Sequence, residues 1–418
     1  MALDSRKNGL ECEIAVIGGG ILGLAIAAVC ADRGYHVCLF RMKDSGRPRA
    51  DTLRNQGWLQ SGLMYVGHYG PQNDPRREMG RTLATRMRIG GLAMLRQLGI
   101  PFPDENQFGV FRLADEEQLG KVLDDARSLR LNNVARLSNS QASALLGPVF
   151  AENSIYCSVP DLPFPEADVV RALRDWAIRE RTEMYQVDAP IGLVASKKSD
   201  SGVIIEWDGN QMASKVTITA AGAGNCELLR GLGLDSMMEL QQTPLLVVHD
   251  TLSISAPIFN DRVLGFSFVR HAEHPANLPK GALVIATRSQ RIVPFAMPED
   301  RRLEQRDIDV FARHIPAAFS PYMDAGRFTA GFEVLPRAEL DRPYVAPWTH
   351  WCPEFPALMH AMPGRATLGL TVARDVLDQV VTRIGGPTGQ RNNHFGSDRW
   401  HDDIHMHFHQ QYDFNDWE

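Results

Sequence analysis

The stretch AVIGGGILGLAIAAVCADRGYHVCLFR, residues 15–41, decides the fold of this 418-residue chain. An apolar strand over residues 13–17 leads into a glycine-rich turn, and a helix is predicted over residues 22–33. A second apolar strand follows over residues 36–40. This order of strand, turn, helix and strand is a β-α-β unit of about 30 residues. It predicts a Rossmann-like parallel sheet that binds a dinucleotide.

The glycines of the turn have the spacing G-x-G-x-x-G, and we predict that three of them bind the cofactor: Gly18, Gly20 and Gly23. The first permits a tight turn, the second lets the backbone approach a pyrophosphate, and the third lets the helix pack closely on the strand. The phosphates would then face the N-terminus of the helix. A glycine-rich turn that binds nothing is the alternative.

Arg41 follows the second strand, where such units usually carry an acid that binds the adenosine ribose. The arginine side chain has no hydrogen-bond acceptor. It could contact the adenine, bind the 2′-phosphate of NADP, or face solvent while backbone groups hold the ribose. These alternatives stay open from the sequence.

The composition is that of a globular enzyme, with 44% hydrophobic and 22% charged residues. The net charge of −6 gives no reason to expect a nucleic-acid partner. The apolar run over residues 14–31 is interrupted by four glycines, so we predict no membrane span. Six cysteines without a C-x-x-C pair are typical of reduced thiols, so a cytoplasmic protein is predicted. We expect a small-molecule substrate and a possible homo-oligomer.

Three further stretches carry a family resemblance: LRNQGWLQSGLMY (53–65), KVTITAAGAGN (215–225) and FPALMHAMPGRATLGLTVARDVLDQVV (355–381). In this order they resemble the D-amino-acid-oxidase-like flavoproteins, and the first is locally similar to L-2-hydroxyglutarate dehydrogenases. The resemblance covers most of residues 13–383. It implies FAD as the cofactor. It also implies an α/β fold, in which a Rossmann-like FAD-binding domain carries an inserted, mostly antiparallel β-sheet substrate domain.

The resemblance also implies where the flavin lies. The ADP half would follow the glycine turn, whereas the segments 54–62 and 363–369 would approach the isoalloxazine from distant parts of the chain. Backbone amides at the start of the last helix could stabilise negative charge on the reduced flavin. With Arg41 and the three glycines, the predicted cofactor-binding residues are Arg54, Asn55, Gln56, Gln60, Gly222, Gly364, Arg365, Ala366, Thr367 and Leu368.

Two departures from the family pattern carry predictions. Gln60 stands where relatives with covalent flavin carry a histidine, so we predict non-covalent FAD. Relatives that act on amino acids often carry a G-x-R-P arginine that binds the substrate carboxylate. The matching stretch here is GFEVLPR (331–337), with Glu333 in the arginine's place. A carboxylate there would repel an acid group and attract an amine.

The predicted catalytic residues are His68, Tyr65 and Glu333. His68 follows the flavin-facing stretch and is the first choice for a base, before Tyr65 and His249. We therefore predict a FAD-dependent oxidoreductase that transfers hydride to the flavin from a C–N or C–O bond of a small amine, amino acid or hydroxy acid. The alternatives are a non-redox binding or scaffold protein on a flavoprotein fold, and an NADP-dependent enzyme.

The length fits two domains. The predicted FAD-binding domain is discontinuous and comprises residues 1–105, 150–235 and 325–390. The predicted substrate domain comprises residues 106–149 and 236–324. Residues 391–418 form a histidine-rich extension that could bind a divalent metal or dock on a partner. We predict no metal among the residues of the active site.

Overall fold

The computed structural model describes residues 10–42, 57–63, 75–101, 107–131, 133–188, 190–197, 199–248, 254–271, 282–293, 303–323, 327–337, 347–362 and 365–387. The strands are β1 (Leu10–Ile17), β2 (Val37–Met42), β3 (Trp58–Leu59), β4 (Gly109–Leu113), β5 (Arg136–Leu137), β6 (Ile155–Val159), β7 (Leu162–Pro163), β8 (Glu183–Val187), β9 (Gly192–Ala195), β10 (Val203–Trp207), β11 (Asn210–Thr219), β12 (Met238–Val248), β13 (Ile258–Asp261), β14 (Phe266–Arg270), β15 (Leu283–Thr287), β16 (Arg291–Val293), β17 (Arg327–Pro336), β18 (Trp348–Cys352) and β19 (Phe355–Met362). The helices are α1 (Ile21–Asp32), α2 (Pro75–Gln97), α3 (Glu116–Ser128), α4 (Asn139–Leu146), α5 (Glu166–Arg179), α6 (Gly224–Gly231), α7 (Gln305–Ala312), α8 (Ser320–Met323) and α9 (Gly369–Ile384).

The first sheet has a parallel centre in the order β19-β11-β1-β2-β8, and β18 adds an antiparallel edge. The antiparallel strands β9 and β10 extend from the amino end of β11. Residues Ile14 to Ile17 of β1 pair in parallel with Val37 to Phe40 of β2. The predicted β-α-β unit is therefore confirmed.

Helix α1 lies at the centre of the core beneath this sheet. Its sequence ILGLAIAAVCAD has no polar face, and every residue from Ile21 to Ala31 is buried. The helix packs against both α5 and α9, and their apolar residues form one cluster with β1, β2, β11 and β19. Burial of α1 on all sides fixes the position of the glycine turn that precedes it.

The second sheet has nine strands and is mostly antiparallel, as predicted. Strand β17 pairs along the whole of β12, while β15 and β16 pair with its other edge. Among the described pairs of this sheet, only β13 and β4 run parallel. The domain boundaries stay a prediction. Strands β6 and β17 belong to this sheet, although they fall in ranges predicted for the FAD-binding domain.

Helices cover one face of the second sheet, where phenylalanines of β13, β14 and α7 form a cluster. The opposite face is directed towards residues 57–63, as described below. No helix in the described ranges has the length and apolar character needed to cross a membrane.

Candidate FAD and substrate site

The glycine turn closes tightly on the ends of two parallel strands. Gly18 has φ +134°, and its amide donates a 2.9 Å hydrogen bond to the carbonyl of Phe40. A Cβ on Gly18 would lie 2.2 Å from the carbonyl oxygen of Ala220, and one on Gly23 would lie 1.9 Å from the carbonyl oxygen of Gly18. Both positions therefore require glycine.

The start of α1 has no side-chain cap, and Gly20 precedes the helix in an extended conformation. Backbone amides at a helix N-terminus are typical binding sites for phosphate groups. Arg41 lies beside the turn, because a Cβ on Gly19 would be 2.8 Å from the Cβ of Arg41. The turn thus fits the pyrophosphate of a dinucleotide, with an arginine next to it.

Residues 57–63, which we call the first loop, are held by one buried carboxylate. Asp161 accepts hydrogen bonds from the backbone amide of Ser61 at 2.6 Å and from Nε1 of Trp58 at 3.0 Å. Its side chain is completely buried. Burial raises the pKa of Asp161 above its ordinary value, while the hydrogen bonds from Ser61 and Trp58 oppose that rise. Arg88 donates to the carbonyl of the neighbouring Pro160 at 2.9 Å.

The turn Arg365–Leu368, which we call the late turn, meets the first loop on helix α2. A Cβ on Gly91 of α2 would lie 2.4 Å from Cδ1 of Leu59 and 3.2 Å from Cβ of Thr367. Leu59 and Leu368 belong to the same apolar cluster. The described parts of the two segments expected to approach the isoalloxazine therefore lie against the same stretch of one helix.

The late turn also adjoins the cofactor helix. A Cβ on Gly369 would be 2.5 Å from Cγ2 of Ile21, the first residue of α1. The backbone amide of Leu368 donates to the carbonyl of Arg365 at 3.0 Å, and α9 begins at the next residue. The glycine turn, the first loop and the late turn therefore surround one region at the carboxyl ends of the parallel strands.

One face of the second sheet is directed towards this region, and we call it the inner face. Side chains alternate along a strand and directly paired residues share a face. Pairing therefore places on the inner face Glu333, Gln241, Ile292, Leu245, Val247, Val284, Val269 and Ile258. A Cβ on Gly109 would lie 3.3 Å from the Cβ of Ile258 and 3.2 Å from the Cβ of Asp161. Ile258 and Asp161 are therefore close neighbours. The inner face thus lies next to the first loop.

Glu333 joins the inner face to the late turn. Its carboxylate forms an ion pair with Arg365, and both side chains are partly buried. This places a predicted catalytic residue and a predicted cofactor-binding residue in direct contact, although 32 residues separate them in the chain. Gln241 is paired directly with Glu333, and further along the same face lie the apolar residues Leu245, Val247 and Val284. The arrangement can hold a charged or polar group of a small substrate next to apolar carbon.

His271 is a buried histidine at the first loop. A Cβ on Gly57 would lie 2.5 Å from its Cε1, and the carbonyl of Gly57 accepts a 2.8 Å hydrogen bond from the amide of Phe164. Gly57 has φ +63°, so both conformation and space favour glycine. His271 continues β14 and therefore contacts the first loop from the second sheet.

The remaining predicted residues divide into two groups. Gln60 is partly buried in the first loop, and Gly222 has φ +57° just beyond the carboxyl end of β11. Ala366 and Thr367 lie in the late turn. The predictions that fall outside the described residues are Arg54, Asn55, Gln56, Tyr65, His68, His249 and Gly364.

Sequence reasoning missed Asp161 and His271. Asp161 follows the strand SV and lies between two prolines in SVPDLP, a pattern that indicates an ordinary turn. His271 directly follows the apolar strand FSFVR. A polar residue at the end of a buried strand was the only signal in either case.

Comparison with known proteins gives a short sequence match and several long structural matches. Amine oxidase [flavin-containing] B from Cavia porcellus is 41% identical over 59 residues, which are 14% of this chain and 11% of that relative. Glycine oxidase from Geobacillus kaustophilus has a TM-score of 0.65 at 17% identity, over 92% of this chain and 100% of its own. Iminodiacetate oxidase from Chelativorans sp. BNC1 has a TM-score of 0.64 at 16% identity, over 91% and 98%.

The family comparison covers most of the chain. The sequence model described as FAD dependent oxidoreductase, DAO, matches residues 13–372. The predictions of a flavoprotein oxidoreductase and of FAD as its cofactor are therefore confirmed, and the NADP alternative, which depended on Arg41 alone, is set aside. The chain belongs to the DAO family of FAD-dependent oxidoreductases.

Proposed function

We propose that this enzyme oxidises a C–N bond of a small amine or amino acid. The observation that carries the proposal is the carboxylate of Glu333 on the inner face, ion-paired with Arg365 of the late turn. A carboxylate attracts an ammonium group and disfavours a free acid. The similar proteins named glycine oxidase, iminodiacetate oxidase and amine oxidase point to the same class of substrate.

The protein's part in this reaction is to bind and orient the substrate. The glycine turn, the first loop and the late turn would hold FAD, which would supply the two-electron oxidation of the carbon that bears nitrogen. The amine loses a proton to a base, and water then hydrolyses the imine product. His68 stays the predicted proton acceptor, with Tyr65 as the second choice.

The ion pair gives the site two side chains of opposite charge that can bind a substrate. Arg365 fixes the position of Glu333 through a charge-assisted ion pair. A substrate ammonium group would bind to Glu333, and a substrate carboxylate would bind to the guanidinium of Arg365. An amino acid would contact both side chains, whereas a simple amine would contact only Glu333.

The test compares substrates that differ only in nitrogen and oxygen. Purified protein with bound FAD is mixed without oxygen with glycine or glycolate, and with alanine or lactate, and flavin absorbance is followed. We expect the amines to bleach the flavin faster than the alcohols. Reduction by the hydroxy acids alone would show C–O oxidation. An unchanged flavin across a broad panel of amines and hydroxy acids would favour the non-redox alternative.

Glu333→Gln tests the role of the carboxylate. Loss of the charge should lower kcat/KM for amines by about 10- to 100-fold, since a hydrogen bond to a charged group contributes about 1.5–3 kcal/mol. FAD binding should persist, because the glycine turn is unchanged. Glu206→Gln, in the strand pair β10–β11 of the first sheet, is the matched control. Equal activity of the two variants would contradict the proposal.

A further inference from the structure

A second cluster of reactive side chains lies towards the amino ends of strands β2 and β8 in the first sheet. It comprises His36, which directly precedes β2, with Cys38 of β2 and Glu183 of β8. One donor atom from each of the three lies within 4.8 Å of the others. The glycine turn follows the carboxyl end of β1, so the cluster is separate from the residues of the FAD and substrate site described above.

We propose that His36, Cys38 and Glu183 bind a zinc-like divalent cation. Nε2 of His36 is 2.8 Å from Oε1 of Glu183, and Sγ of Cys38 is 3.8 Å from Oε2 of the same carboxylate. One thiolate, one imidazole and one carboxylate are the donor types that Zn²⁺ accepts. A small outward rotation of Glu183 would admit the ion between its carboxylate and the imidazole.

Pairing of the strands makes this geometry possible. Cys38 and Glu183 are direct neighbours in the parallel pair β2–β8. The backbone amide of His36 donates to Oε2 of the buried Glu13 at 2.9 Å, which fixes the start of β2. Tyr185 donates to Oε2 of Glu183 at 3.0 Å. Outer partners of this kind orient metal ligands.

The three donors differ in exposure, so one of them is shielded from water and the other two can be reached from solvent. Cys38 is buried, whereas the side chains of His36 and Glu183 are 39% and 51% exposed. An ion can therefore approach from solvent and reach the thiol last. The exposed side leaves room for a water molecule as the fourth ligand of a tetrahedral site.

The surroundings favour a soft ion over magnesium. Cys12 lies next to Cys38, and its thiol donates to Sδ of Met212 at 3.5 Å. Cys12 and Met212 thus add two sulfur atoms to the surroundings of Cys38. Sulfur and imidazole donors select zinc, cadmium or monovalent copper, whereas magnesium prefers oxygen. On binding, the Cys38 thiol would release its proton to solvent and His36 would bind through its neutral ring.

Cadmium provides a direct test, because its bond to a thiolate absorbs in the ultraviolet. The full chain with its FAD is freed of metals with a chelator and titrated with Cd²⁺. We expect one ion per chain to produce the charge-transfer band, Zn²⁺ to displace it and Mg²⁺ to leave it unchanged. The histidine-rich residues 388–418 contain no cysteine, so ions bound there cannot produce this band.

Variants assign the band to the cluster. Cys38→Ser should abolish it, and Cys352→Ser, which changes another buried thiol of the same sheet, should leave it intact. His36→Gln and Glu183→Gln change partly exposed side chains and should weaken binding by at least about tenfold, since even outer partners of a ligand contribute about 10- to 100-fold. These two variants decide the question if Cys38→Ser does not fold. Absence of the band, or equal cadmium affinity in the His36 and Glu183 variants, would overturn the proposal.

Discussion

Asp161 is the residue on which the geometry of the first loop depends most directly. A fully buried carboxylate is stable only if hydrogen bonds compensate for its lost hydration. Here the compensating donors are the amide of Ser61 and the indole of Trp58, both from the first loop. The loop therefore satisfies the carboxylate, and the carboxylate fixes the loop. We expect Asp161 to be a positioning residue for the flavin.

Asp161→Asn should loosen the first loop without changing its shape. The amide oxygen can still accept from Ser61, but the amide nitrogen cannot accept from the indole of Trp58. One buried donor is then left unpaired, which costs about 1–3 kcal/mol. Urea unfolding should show this loss, and FAD titration followed by flavin fluorescence should show weaker binding.

A double-mutant cycle with Trp58→Phe distinguishes the loss of this contact from a general loss of stability. Phenylalanine keeps the ring but removes the indole donor that Asp161 accepts from. The two substitutions should be non-additive, with a coupling free energy of about 0.5–3 kcal/mol. Additive losses would mean that the contact contributes nothing specific to the loop.

Single residues were predictable from the sequence only where their neighbours are close in the chain. Gly18 and Gly23 were found because the turn, the helix and both strands lie within 30 residues. Asp161 was not found, because its partner Ser61 lies 100 residues away. Glu333 was predicted because it stands where relatives in the family carry an arginine. Its ion pair with Arg365 is visible only in the fold.

Helix α2 is the element that brings the first loop and the late turn together. Its glycines Gly90 and Gly91 face these segments, where a Cβ on Gly90 would be 3.2 Å from the carbonyl oxygen of Thr367. Glycine is unfavourable inside a helix by about 0.5–1 kcal/mol relative to alanine. Close approach of the two segments accounts for its presence at these positions.

The same substitution in two helices should therefore have opposite effects. Gly91→Ala would push against Leu59 and Thr367, so we expect lower stability and weaker FAD binding. Gly120→Ala in α3 meets no atom within 4 Å and should raise the free energy of unfolding by about 0.5–1 kcal/mol. Urea unfolding and FAD titration of both variants check this. Unchanged FAD affinity in Gly91→Ala would show that α2 does not set the spacing of the two segments.

The apolar periodicity of a sequence can indicate a helix, but it does not show which segments the helix brings together. Helix α2 lies at Pro75–Gln97, where apolar residues recur at helical spacing. The register of its glycines against the late turn depends on contacts across about 280 residues. Such contacts leave no local signal in a single sequence.

At the scale of the molecule, the site forms where two sheets meet. The ion pair of Glu333 and Arg365 links β17 of the second sheet to the turn that leads into α9. The family resemblance implied a mostly antiparallel sheet, in a substrate domain predicted at residues 106–149 and 236–324. Strands β4 and β5 fall in the range 106–149 predicted for that domain, whereas β6 falls in a range predicted for the FAD-binding domain. Strand β6 joins the sheet through β4, and β4 pairs with β13 through residues as distant in the chain as Val110 and Phe259, which leaves no local pattern.

The first sheet also contains a group that couples its stability to pH. His360 of β19 is 2% exposed, and its Nε2 has no hydrogen-bond partner among the residues described. Burial, together with a smaller effect of the neighbouring His350, lowers the pKa of His360 to about 4. The folded protein therefore keeps this histidine neutral at pH values where the unfolded chain protonates it.

The sign of the effect follows from proton linkage. Above pH 6.5, the pKa of this histidine in the unfolded chain, the His360 side chain is neutral in both the folded and the unfolded state. In that range it does not make the stability depend on pH. As the pH falls from 6.5 towards 4, only the unfolded chain gains the proton, so the free energy of unfolding declines. Over the whole interval the loss is about 3 kcal/mol, since each unit of pKa corresponds to about 1.4 kcal/mol.

His360→Gln should remove most of this acid sensitivity. Urea unfolding at pH 7 and pH 5, with saturating FAD, should show a smaller drop in stability for the variant, by up to about 2 kcal/mol. His350→Gln removes only the weaker cause and should give a much smaller change, because burial dominates the shift. If both variants lose as much stability as the wild type between these pH values, the acid sensitivity arises elsewhere. Since β19 leads directly towards the late turn, loss of this strand's packing in acid would release FAD together with the fold.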